Sequence, residues 1–119
     1  MNEFNIIGRL TDDPKIRVLE NGDKVVNVTL AVDRGYKDKT GNKKTDFLDF
    51  ALWNNRAENL CKISKKGSLV QFKGYFVTKI EKNEDKSLKK IYPVVTQYSH
   101  IQNKKELNKE ESKTESMSL

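Results

Sequence analysis

KVVNVTLAVD, residues 24–33, alternates without a break: Val26, Val28, Leu30 and Val32 on one side, Asn27, Thr29, Ala31 and Asp33 on the other. A period of two with β-branched enrichment marks a strand that buries one face. Asn21-Gly22 just before it is a turn dipeptide, because both residues tolerate positive φ. Upstream, residues 4–10 and 16–19 read as strand pieces separated by Thr11-Asp12-Asp13-Pro14. Downstream, Thr40-Gly41-Asn42 marks the tip of a lysine-rich hairpin loop over residues 34–45, and residues 46–53 (DFLDFALW) form the next strand. Its two faces are Phe47/Asp49/Ala51/Trp53 and Leu48/Phe50/Leu52. Asp49 makes the first face at least partly wet and assigns Phe50 to the core.

One helix then interrupts the strands. Asn55 with Glu58 has the spacing of a capping box, and Ala57, Leu60, Cys61 and Ile63 fall on one helical face. Lys62, Lys65 and Lys66 crowd the last turn, and Gly67 sits where a C-terminal cap is expected. Residues 68–81 and 89–101 return to strand around the polar loop 82–87. Pro93 implies an edge position or a bulge in the last strand. Five strands with a helix between the third and fourth is the layout of an all-β, five-stranded OB-fold barrel.

Length and charge bound what such a fold could do. The chain has 119 residues, 23 Lys and Arg against 17 Asp and Glu, and a formal charge of +6. One domain is expected at this size. Residues 103–119 hold four Lys and four Glu with few large apolar residues. So polar a segment cannot offset its ordering entropy by burial and reads as a disordered tail. A short charged helix is the alternative, since Glu and Lys are good helix formers. The domain boundary is therefore drawn at 102, and the whole +6 falls on residues 1–102 (19 basic, 13 acidic). No apolar run approaches the roughly 20 residues of a membrane span, and no secretory signal opens the chain. A lone Cys61 excludes an internal disulfide and fits a reducing cytosol, which sets the expected location as cytoplasmic. With one Cys and one His (His100), no zinc site and no cofactor is expected.

Catalysis finds no motif: G-x-S-x-G, the P-loop and G-x-G-x-x-G are all missing, and Cys61 reads as a small buried residue. The chain is read as a non-enzyme. The signal that remains is aromatic residues interleaved with cations on strands, the pattern of single-strand binding by base stacking beside a basic groove. Stacking candidates are Tyr36, Phe47, Trp53, Tyr75 and Tyr92. Candidate cations around them are Arg34, Lys37, Lys39, Lys43, Lys44, Arg56, Lys73 and Lys79. Aromatics favour strands in any case, so the pattern alone leaves nucleic-acid binding and ordinary strand packing both open.

Six short motifs in register decide more. They are Ile7-Gly8-Arg9-Leu10-Thr11-x-Asp13-Pro14-x-Ile16-Arg17, Asn21-Gly22 followed by Val28-Thr29-Leu30-Ala31-Val32, and Asp46-Phe47-x-x-Phe50-Ala51-Leu52-Trp53. Ala57-Glu58-Asn59, Lys65-Lys66-Gly67-Ser68-Leu69-Val70 and Gly74-x-x-x-Thr78 complete the set. Over about residues 3–101 the chain resembles the bacterial-type single-stranded DNA-binding proteins, a homotetrameric OB-fold family. The resemblance implies a tetramer around which single-stranded DNA wraps, acting in replication, recombination or repair at the nucleoid. It places stacking aromatics at Tyr36, Phe47 and Trp53, and phosphate contacts at Arg17, Lys39 and Lys66, with Arg9 and Lys79 beside them.

Three departures from the family pattern stand out. An aromatic is usual seven residues after the Gly of G-x-x-x-T, and here Glu81 follows Ile80. A carboxylate cannot stack and repels phosphate, which counts against one base site unless Tyr75 faces the groove. Glu3 stands near a position that is often basic. The tail ends Glu115-Ser116-Met117-Ser118-Leu119, without the family's acidic-apolar tip, so recruitment of other replication proteins by that route is expected to be weak. The competing expectations are an accessory OB-fold protein of a primosome-type assembly, a nuclease, and an RNA binder, because stacking grooves do not by themselves reject a 2′-OH.

Overall fold

Val26, Val28 and Leu30 turn inward in the computed structural model, which describes residues 1–103, and the alternation at 24–33 becomes the buried face of a long strand. The elements are β1 (Phe4–Leu10), β2 (Arg17–Val18), β3 (Lys24–Lys37), β4 (Lys43–Trp53), α1 (Asn55–Ile63), β5 (Leu69–Asn83) and β6 (Lys86–Gln102). Setting aside the two-residue β2, five long strands carry the helix between the third and the fourth, as the spacing predicts. The tail expected from 103 onward lies, apart from Asn103, outside the described residues. Asn103 itself accepts a 2.6 Å hydrogen bond from Ser68.

All pairing is antiparallel. β3 is the hub: β4 takes one of its edges, while β2 and β1 share the other. β1 continues to β5 and β5 to β6. The curled sheet stays open between β4 and β6, its two ends. The edge position that Pro93 implies is met, since β6 ends the sheet, and a bulge lies nearby at Thr96, where the register steps from Lys73↔Gln97 to Gly74↔Val95. Gly74 is required there: a Cβ would stand 1.8 Å from the Val94 carbonyl oxygen.

Inward residues meet in one core, with Leu30, Leu52, Leu60, Val70 and Phe72 fully buried. Each such side chain contributes roughly 1.5–3 kcal/mol. Phe50 packs edge-on against Phe72 with ring centroids 5.2 Å apart, as expected of a core residue. The helix contributes Ala57 and Leu60 to the core, but Ile63 is half exposed and does not join the face assigned to it.

The helix ends also differ from expectation. The N-cap is Asn54, not Asn55, and its side chain makes no capping bond. Instead Asn54 Oδ1 accepts the Lys24 N–H at 3.0 Å, and Glu58 forms an ion pair with Lys24 rather than a capping box. A strand neighbour thus outcompetes the local partner. The helix stops at Ile63 with Ser64 as C-cap, and Gly67 lies further on, donating its N–H to the Leu10 carbonyl at 2.8 Å.

Both expected loops are mostly strand. In the 34–45 segment strand runs to Lys37 and resumes at Lys43, with the register broken between Asp33↔Thr45 and Lys37↔Lys43, leaving the turn 38–42, where Asp38 Oδ1 accepts from the Thr40 N–H, the Thr40 hydroxyl and the Asn42 N–H. The 82–87 loop shrinks to Glu84-Asp85. Cross-strand pairing resumes beyond an irregularity in β3–β4 and continues along β5–β6, which polar composition does not prevent. Two ribbons, β3–β4 and β5–β6, therefore extend beyond the core.

Candidate nucleic-acid interface

The outer face of β4 carries Phe47 and Trp53, 65% and 47% exposed, at the two ends of a stripe with Asp49 and Ala51 between them. Six positions along a strand separate the rings by about 20 Å. Directly opposed residues share a face, so the pairing defines two rows across the sheet. One is Arg17, Val25, Trp53; the other is Arg9, Ala31, Phe47. In each row an arginine sits two strand spacings, about 10 Å, from an exposed ring. Arg9 donates from Nη1 to the Gly67 carbonyl at 2.9 Å, which fixes its guanidinium. Lys66 lines the same shallow cleft as Arg9 and Ala31, and its backbone N–H is held by Asp13 at 2.7 Å. Phe47, Trp53, Arg9, Arg17 and Lys66 therefore converge on one side of the sheet.

The remaining candidates lie elsewhere. Tyr36, 60% exposed, stands beside Arg34 on the β3–β4 ribbon. Arg34 forks onto Asp46 through two 2.9 Å bonds, and Asp46 pairs with Val32, whose face is opposite that of Phe47. The pair raises the Arg34 pKa and holds the Asp46 carboxyl below its usual range, the side-chain hydrogen bond being the main cause in both. Arg34 thus carries a matched rather than a surplus charge. Lys37 faces Lys43 across the ribbon, and Lys39 is exposed in the turn. Around β5, Tyr75 is 42% exposed beside Lys73. Arg56 reaches from the helix to the Thr96 carbonyl at 2.8 Å, tying α1 to the β6 bulge.

Glu81 is not an isolated anion. Its Oε1 accepts the Tyr92 hydroxyl at 2.6 Å, its Oε2 lies 2.9 Å from Lys90 Nζ, and Lys79 Nζ stands 5.5 Å from the Tyr92 ring centroid. The tyrosine bond, then the lysine bond, hold the Glu81 carboxyl below the ordinary carboxylate range. The same contacts raise the Tyr92 hydroxyl and the Lys90 ammonium. Tyr92 and Glu81 each stood out in the sequence, but nothing there linked them, and Lys90 was missed.

At the end of the helix, the Ser64 hydroxyl lies 2.5 Å from Tyr98 Oη and 3.1 Å from His100 Nδ1. Ser64 is buried, so this trio braces the helix against β6 and offers substrate no access. Burial pushes the Cys61 thiol up, which disfavours the thiolate. Among the described residues no group of three or more His, Cys, Asp or Glu could hold a metal ion, and no helix is long and apolar enough to cross a membrane.

A scan of family models matches residues 1–107 to the single-strand binding protein family. The chain belongs to this family. Its fold is the OB fold of that family, with the sheet left open between β4 and β6. Among similar proteins, the single-stranded DNA-binding protein of Oceanobacillus iheyensis is 38% identical over 85 residues, 71% of this chain and 53% of that protein. Single-stranded DNA-binding protein B of Bacillus subtilis is 39% identical over 84 residues, 71% of this chain and 74% of its own length. Single-stranded DNA-binding protein 1 of Lactococcus lactis is 36% identical over 84 residues, 71% and 56% respectively. The chain spans about half the length of most of these relatives.

Proposed function

We propose that the chain binds and protects single-stranded DNA without catalysis, in replication, recombination or repair. The observation that carries this reading is the β4 stripe, with two large rings left facing solvent and each in line with an arginine. Leaving such side chains outside a core forgoes roughly 1.5–3 kcal/mol apiece, and base stacking returns roughly 1–3 kcal/mol per ring. Family membership supports the same ligand. Phe47 and Trp53 stack bases, while Arg9, Arg17 and Lys66 meet phosphates on the same side. Tyr36, Tyr75, Lys37, Lys39, Arg56, Lys73 and Lys79 extend the path onto the ribbons and around β5. Arg34, tied to Asp46, contributes by holding Tyr36.

Residues 1–102 form the binding domain in this reading, followed by a polar tail. The protein works in the cytoplasm at the nucleoid as a homotetramer. Self-association is supported by the opposite face of the β5–β6 ribbon, where Phe76, Ile80 and Ile91 continue the core side of the sheet into solvent. Light scattering tests the assembly. For the ligand, titration with a mixed-sequence single-stranded oligonucleotide is expected to quench Trp53 fluorescence, with affinity falling as salt rises. Equal affinity for duplex DNA ends the reading.

A further inference from the structure

Tyr92 and Pro93 form one wall of a cleft whose other wall is Asn27, Thr29, Asp49 and Ala51. Asp49 and Ala51 are the residues between Phe47 and Trp53 on the outer stripe of β4, so the cleft opens onto that stripe midway along it. The Tyr92 ring is fixed at both ends, by its backbone in β6 and by the 2.6 Å bond from its hydroxyl to Glu81. Lys79 Nζ stands over the ring at 5.5 Å from its centroid, and the half-buried ring lines the cleft. The carboxylate that sets this geometry is itself matched by Lys90 at 2.9 Å.

We infer that the Tyr92 ring is a third stacking platform, seating one base of the strand that crosses Phe47 and Trp53, and that Glu81 is the positioning residue that holds it there. The inference rests on the proposed single-strand binding. A ring already anchored gives up little freedom when a base lands on it, so more of the stacking energy appears as affinity. Lys79, drawn to the ring by its quadrupole, adds a cation beside the path of the strand. Glu81 therefore favours binding, the reverse of what its charge alone implies.

Titration of the full chain and its variants with one single-stranded oligonucleotide tests this. Tyr92→Leu is expected to lower affinity roughly 5- to 150-fold, the equivalent of one lost stacked base, with the Trp53 quench at saturation retained. Glu81→Ala should lower affinity in the same direction by less. Glu81→Gln, whose amide oxygen can still accept the Tyr92 hydroxyl, should recover most of that loss. Unchanged binding by Tyr92→Leu, or tighter binding by Glu81→Ala, overturns the inference while leaving the proposed function standing. A parent chain that fails to bind removes both. Should the variants fold poorly, irradiating the parent chain with a 5-iodouracil oligonucleotide is an independent check. A cross-link at Tyr92 supports the platform, and cross-links confined to other aromatics reject it.

Discussion

The outer stripe of β4 and the outer face of the β5–β6 ribbon present aromatic rings in opposite ways. Phe47 and Trp53 stand on a strand whose other face is buried core and which is paired with β3 along its length, so the sheet itself aims their rings. Tyr92, half-buried in the cleft beside β3 and β4, is held in addition by a side-chain bond to Glu81, with Lys79 and Lys90 around it. A strand over a core gives orientation through its backbone; a ribbon leaving the core adds side-chain bonds to it. The two regions should therefore fail differently.

The widest expected gap comes from removing the unsupported rings. Phe47→Ala with Trp53→Ala should cost about 2–6 kcal/mol of single-strand affinity, because sites some 20 Å apart add. Both positions are exposed, so the thermal midpoint should move little, and a large drop would show that the stripe is structural. Tyrosine fluorescence or a mobility shift reads the affinity once Trp53 is gone.

Gly74→Ala attacks the ribbon's root instead. The added Cβ meets the Val94 carbonyl, and the strands must part at the bulge. Denaturant unfolding should report a loss of about 3 kcal/mol. An unchanged midpoint would mean that the ribbon contributes nothing to folding.

Acid should separate the regions more gently. The Glu81 carboxyl is held down by Tyr92 and Lys90, so the anchor is complete above the ordinary carboxylate pKa of about 4.3 and is lost only as pH falls through the lower folded value. The affinity difference between the parent chain and Tyr92→Leu should stay constant from neutral pH down to mild acid and shrink below that. A difference that closes already near neutrality would point to another group.

The smallest contrast concerns two arginines. Arg17→Ala should reduce the slope of log affinity against log salt by about 0.7, one phosphate's worth on a single strand. Arg34→Ala should leave that slope nearly unchanged, because Asp46 already matches the charge. Equal slopes for the two variants would erase the distinction.

Much of the barrel was legible in the residues. The 24–33 alternation, the wet face of Phe47 and Trp53, the core placement of Phe50 and the edge character of the Pro93 strand all follow from local pattern. The helix cap was misread because Asn54 and Glu58 found partners on β3, in Lys24, that no local rule contains. The ribbons read as loops because their polar composition masks the strand that continues past the core. That Glu81 is paired was not legible for a related reason: its partner Tyr92 lies eleven residues away across a hairpin.

Alternation, turn residues and charge balance are short-range properties, so the chain's residues by themselves determined the strand order, the inward face and the exposed aromatic stripe. Which arginine stands in row with which ring, that Arg34 is matched by Asp46, and that Glu81 holds Tyr92 depend on register between strands. Register follows from where each hairpin turns and where each bulge falls, and a shift of one residue reverses every face. Those pairings could be decided only by the tertiary structure.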